Sequence, residues 1–114
     1  MIALGTCPRQ LLVILVTSLG IPFGAIAVGS EIHEIVQIDR KFQTATITIT
    51  RGDLLRFANH DPYVHQIYVD GRNFYFESGL QPPDEMVELR MPSAGVYKVM
   101  CHIHPTMRLT VTVN

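Results

Sequence analysis

Charge is scarce in this chain, and neither sign dominates. Asp, Glu, Lys and Arg make up 17% of the 114 residues, nine basic against ten acidic. No basic run occurs, so the footprint of a nucleic-acid binder is missing, as is that of a protein held to an anionic membrane surface. Cysteine is nearly absent: Cys7 and Cys101 are all there is. Beyond the first thirty residues no window has a helical period, which argues against a helical bundle. Internal repeats, linkers and low-complexity tracts are also missing. The length allows one domain at most, and a monomer is expected.

The first thirty residues stand apart from the rest. Arg9 supplies a positive start, residues 11–19 are almost unbroken apolar sequence, and Ala25-Ile26-Ala27 has the small-x-small pattern of a leader-peptidase site. Residues 1–27 are read as a secretory signal, with residues 28–114 as the mature domain. The competing reading is a retained membrane anchor; Gly20, Pro22 and Gly24 interrupt the stretch, which is short for a spanning helix. After cleavage Cys7 is gone, and no membrane association remains. Eight basic residues then face ten acidic ones. Cys101 is left without a disulfide partner, and in an oxidising compartment a lone thiol is a liability unless a metal holds it as thiolate.

The mature part reads as β throughout. Residues 44–50, 86–91 and 109–113 alternate with a period of two. Residues 54–58, 65–69 and 96–101 are short strand-like runs, and 31–38 is a candidate opening strand. Turn signals separate them: Arg51-Gly52-Asp53, Asn59-His60-Asp61-Pro62, Asp70-Gly71 and Pro92-Ser93-Ala94-Gly95. The fold class is all-β, a Greek-key β-sandwich. Residues 73–83 are the least regular part and are read as a loop crossing the sandwich edge.

What is present in quantity is ligand chemistry, concentrated near the end. Cys101, His104 and Met107 fall within seven residues, with His65 upstream. Each alone would be ordinary: a buried thiol, a surface imidazole, a core thioether. Together, a thiolate, two imidazoles and a weak thioether form the donor set of a blue-copper site, soft sulfur suiting Cu(I) and imidazole suiting Cu(II). Pro105 stiffens the loop by fixing φ. His65 is preferred over His60 because it opens a strand-like run, whereas His60 lies in a turn. His102 follows Cys101 directly, so strand alternation sends it outward; an alternative ligand or a second surface metal site is the competing role. His33 is assigned none.

The run Cys101-His102-Ile103-His104-Pro105-Thr106-Met107-Arg108 resembles the ligand loop of the cupredoxins, amicyanin-like and plastocyanin-like members in particular. Amicyanins have the same short Cys-x-x-His-Pro-x-Met-Arg arrangement. The layout is similar across most of the mature chain, from Phe57-Ala58-Asn59 through the first histidine to Gly95-Val96-Tyr97. The resemblance implies a cupredoxin-like fold and one type 1 copper ion bound by His65, Cys101 and His104, with Met107 as weak axial ligand. It also implies a periplasmic electron carrier rather than an enzyme, with a dehydrogenase donor and a c-type cytochrome acceptor as partner classes. Gln66 departs from the pattern: family members often carry asparagine there, its backbone N–H aimed at the sulfur and its side chain tying the ligand loops together. The backbone bond is compatible with glutamine; the side-chain tie is left open. The alternative function is a periplasmic copper carrier or storage protein, which rapid metal exchange with a chelator would reveal.

Overall fold

The structure is a computed structural model that describes Gly5, Gln10, residues 12–24 and residues 29–114. Arg9, Cys7 and the Ala25–Ala27 pattern, on which the signal reading rests, lie outside the described residues. Residues 12–24 carry no regular secondary structure, and Leu12, Leu15 and Leu19 are exposed. Among the described residues no helix is long and apolar enough to cross a membrane.

Among the described residues, nine strands form two facing sheets. One sheet has the order β2 (Lys41–Phe42), β1 (Ile32–Ile38), β4 (Leu54–Asn59), β7 (Met86–Arg90). The other runs β3 (Thr46–Ile49), β9 (Arg108–Val113), β8 (Gly95–Cys101), β5 (Ile67–Asp70), β6 (Tyr75–Glu77). The pairs β1–β4 and β3–β9 are parallel and the remaining pairs antiparallel, so the chain crosses repeatedly between sheets.

The alternation in the sequence becomes the two faces of each sheet. In β9, Leu109, Val111 and Val113 are buried while Arg108 is exposed. In β8, Val99 and Cys101 point inward. These meet Leu55 and Phe57 of β4, Ile35 of β1 and Ile67 and Val69 of β5 in one core. Each such side chain contributes about 1.5–3 kcal/mol on leaving water. Phe42 and Phe57 pack edge to face at 5.9 Å. That contact places the short β2 over the core. Two strands went unread in the sequence, β2 and β6. Both are too short to show a period, and β6 lies inside the stretch read as an irregular loop.

Two polar devices tie the strands. Asp53 accepts the amides of Glu31 and Thr50 and pairs with His33 Nε2 at 2.9 Å. The His33 bond first, then the two amides, hold its carboxyl down to about 2. His33 thus has a structural role, clipping the start of β1 to the β3–β4 turn. The second device is a buried amide cluster. Gln81 Nε2 donates to the carbonyls of Phe57 and Glu85 at 3.0 and 2.8 Å, and Gln81 Oε1 accepts from Gln37 Nε2 at 2.8 Å. This braces β4 beside the segment that carries the candidate ligands.

Candidate metal centre

The site is built where three chain segments meet at one end of the sandwich. Cys101 is the last residue of β8 and is paired in register with Ile67 of β5. The segment leading into β5 lies against that end, and the turn 102–107 closes over it. His65 does not open β5 as expected; the strand starts two residues later. Instead His65 forms an isolated antiparallel bridge with Gln81, donating to its carbonyl at 3.0 Å and accepting its amide at 2.7 Å. The turn closes through the Met107 amide, which donates to the His104 carbonyl at 3.0 Å. Pro105 sits inside it.

Three donors converge. His65 Nδ1 and His104 Nδ1 are 3.0 Å apart, and Cys101 Sγ lies 3.8 Å from each. Metal bonds of about 2.0 Å to nitrogen and 2.3 Å to sulfur, at near-tetrahedral angles, give separations of about 3.3 and 3.5 Å. The triangle therefore has the size a single ion sets, and a thiolate with two imidazoles is a donor set that suits copper in both oxidation states. His65 and Cys101 are buried and His104 half-buried. Met107 is buried in the core cluster that also holds Cys101. His60 is exposed and outside this group, as is His102.

Both imidazoles turn Nδ1 to the centre, and His65 is prepared to bind through it. His65 Nε2 is 2.8 Å from Asp61 Oδ2. A carboxylate only accepts, so the ring proton is on Nε2 and the Nδ1 lone pair faces the centre. Burial foremost, then the neighbouring His65 and Arg40, holds the His104 imidazole below its usual value. The His65 Nδ1 lone pair thus faces His104 Nδ1 at 3.0 Å beside the sulfur, a spacing that a shared proton or a metal ion between the rings satisfies.

The sulfur also has its amide. Gln66 N donates to Cys101 Sγ at 3.4 Å, and His102 N donates to the Gln66 carbonyl at 3.0 Å. The Gln66 side chain turns away to Glu77. The two ligand segments are therefore joined by backbone, and the side-chain tie left open by glutamine is absent. Asn59 and Asp61, read in the sequence only as a turn, prove to organise the first segment. Asn59 Nδ2 donates to the carbonyls of Tyr63 and Gln81 at 2.8 and 3.1 Å, and its Oδ1 accepts the Asp61 amide at 2.9 Å. The only sequence signal for this was polar residues at and just beyond the end of a buried strand.

Around the centre, Tyr63 packs edge to face on His104 at 6.2 Å, with the Arg40 guanidinium 5.2 Å above the Tyr63 ring. Pro62, Tyr63, Ile103, Pro105 and Thr106 are exposed there. On the other side His102 points outward and stacks on Tyr68, ring centroids 3.7 Å apart and nearly parallel.

A second histidine-containing group, Glu31, His33 and Asp53, also comes together. The Asp53 oxygens already serve the amides and the imidazole described above, which makes it a structural clip.

No protein-family model and no curated protein matches the chain. Solved structures do. The reduced form of a tyrosine-for-tryptophan variant of amicyanin aligns with a TM-score of 0.68 at 20% identity, over 77% of this chain and 87% of that one. The reduced Cu(I) form at pH 4 of another amicyanin variant aligns with a TM-score of 0.66 at 21% identity, over 78% and 86%. A copper-containing nitrite reductase from Thermus scotoductus SA-01 aligns with a TM-score of 0.68 at 20% identity, over 82% of this chain but 25% of that one. The chain therefore has the cupredoxin fold, similar to that of amicyanin, with a His–Cys–His group at one end able to hold one copper ion.

Proposed function

We propose that the chain is a periplasmic blue-copper protein that carries single electrons between redox proteins. His65, Cys101 and His104 would be the three strong ligands and Met107 the weak axial one. The observation that carries this reading is the triangle of Nδ1, Nδ1 and Sγ, held by a buried framework and met by a backbone amide at the sulfur. Copper, when bound, supplies a one-electron couple. The protein's part is to keep the ligands nearly unmoved between oxidation states: Cys101 by the β5–β8 register, His65 by its bridge to Gln81, and His104 by the Pro105 turn. The periplasmic placement rests on the signal-like residues 1–27. A dehydrogenase donor and a c-type cytochrome acceptor remain the partner classes suggested by the resemblance. The nitrite reductase match spans only a quarter of that chain, so it carries no enzymatic reading here.

His104 is the proposed electron port. It is half-buried beneath a patch made by Pro62, Tyr63, Pro105 and Thr106. A patch this apolar suits weak, transient docking, and rates should fall only modestly with salt. Electron self-exchange tests it without a partner, because two copies must bring their patches together. Thr106→Glu or Tyr63→Asp should slow self-exchange while the visible spectrum stays unchanged. Self-exchange unaffected by either charge would mean that electrons leave elsewhere.

Met107 should tune the couple more than it holds the ion. A thioether in a weak axial position favours soft Cu(I), so Met107→Gln should retain copper and lower the reduction potential. Voltammetry of the copper-loaded variant measures this. Recovery of a copper-free protein would make Met107 a principal ligand.

A further inference from the structure

Asp61 is buried, 4% exposed, beside the fully buried His65. Its two oxygens serve three donors from two parts of the chain. Oδ1 accepts the Asp39 amide at 2.6 Å, and Oδ2 accepts the Arg40 amide at 3.0 Å and the His65 ring at 2.8 Å. Asp39 and Arg40 are the two-residue turn between β1 and β2, since Ile38 pairs with Lys41. Both have positive φ, 54° and 55°. That is the primed hairpin turn usually made with asparagine and glycine. Arginine is poorly suited to it, and such backbone is strained unless the surroundings hold it. Here the Asp61 carboxylate holds it, by taking both turn amides at once. Asp61 is itself aimed by Asn59 through its own amide.

We propose that Asp61 is a positioning residue for the metal centre, joining the β1–β2 turn to His65 and lowering the reduction potential through that ring. This rests on the blue-copper reading above. The carboxylate keeps the His65 proton on Nε2, points Nδ1 at the centre and makes the imidazole a stronger donor. A negative charge one ring away from the ion favours the more highly charged Cu(II). Three donors on its two oxygens, the Asp39 and Arg40 amides and the His65 ring, favour the carboxylate form of Asp61. The turn also carries Arg40, whose guanidinium covers Tyr63 beside His104. One carboxylate thus sets a ligand and the framework of the exposed patch together.

Two measurements test this. The first is imidazole nitrogen NMR on the copper-free wild-type protein. It should show His65 held as the Nε2-protonated tautomer, and an averaged or Nδ1-protonated ring would overturn the proposal. The second is Asp61→Asn loaded with Cu(II). The variant should stay coloured while its affinity for Cu(II) relative to Cu(I) falls about tenfold, a rise in potential of about 59 mV for one electron. A residue that only supports the fold would leave the potential where it was, and an unchanged potential would overturn the proposal. If Asp61→Asn does not fold, the wild-type NMR result decides alone. If the wild-type protein itself is colourless with Cu(II), the blue-copper reading fails, and the tautomer still decides whether Asp61 orients His65.

Discussion

One equivalent of Cu(II) should turn the wild-type protein intensely coloured, and Cys101→Ser should abolish that colour. The intensity comes from charge transfer between a thiolate and Cu(II), which a serine oxygen at the same place does not provide. The sulfur is buried, 1% exposed, and 3.8 Å from both imidazole nitrogens, so no other thiol can substitute for it within the domain. Soft-sulfur preference for Cu(I) should be lost with the thiolate. The fold should survive, weakened by about 1–3 kcal/mol for placing a hydroxyl in an apolar site; circular dichroism checks that. A faintly tinted one-to-one wild-type complex, or a variant as strongly coloured as wild type, would defeat the type 1 assignment.

The second large effect separates two histidines five positions apart. His65→Ala should lower copper affinity by more than the roughly 100-fold that loss of an outer partner costs, and should rearrange the spectrum. His60→Ala should change neither, with stability within about 0.5 kcal/mol of wild type. The reason is placement. His65 is fully buried, bridged to Gln81 and aligned by Asp61, whereas the His60 ring is exposed and its backbone amide alone is engaged, with the Gln37 carbonyl. Copper titration followed by absorbance compares the two. A more damaging His60→Ala would reverse the ligand assignment.

Local pattern was enough for much of this molecule because local pattern has a direct physical meaning. The period of two in residues 109–113 is the two faces of β9, and the same parity turns Cys101 inward and His102 outward. The spacing Cys-x-x-His-x-x-Met allows one tight turn to carry three donors whatever lies around it. Gly95 at the start of β8 has φ 148°, a conformation that the turn signal Pro92-Ser93-Ala94-Gly95 anticipates. The all-β class and the ligand loop could therefore be read along the chain.

The remaining features depend on partners distant in sequence. Lys41 and Phe42 make a strand only because Phe42 lands on Phe57 and Ile38 is there to pair. His65 looked like the start of a strand, but Gln81, sixteen residues on, occupies its backbone and delays β5. His33 seemed idle until Asp53 was brought to it. Asp61 carried no mark of importance, since an Asp-Pro step is ordinary in a turn; it matters because the fold buries it between a strained hairpin and a ligand ring. Residue types and their periodicity are local quantities, and they set which chemistry was available and which way each side chain faced. Burial, ionisation and ligand alignment arise from contacts across the sandwich, and those exist only once the two sheets have closed.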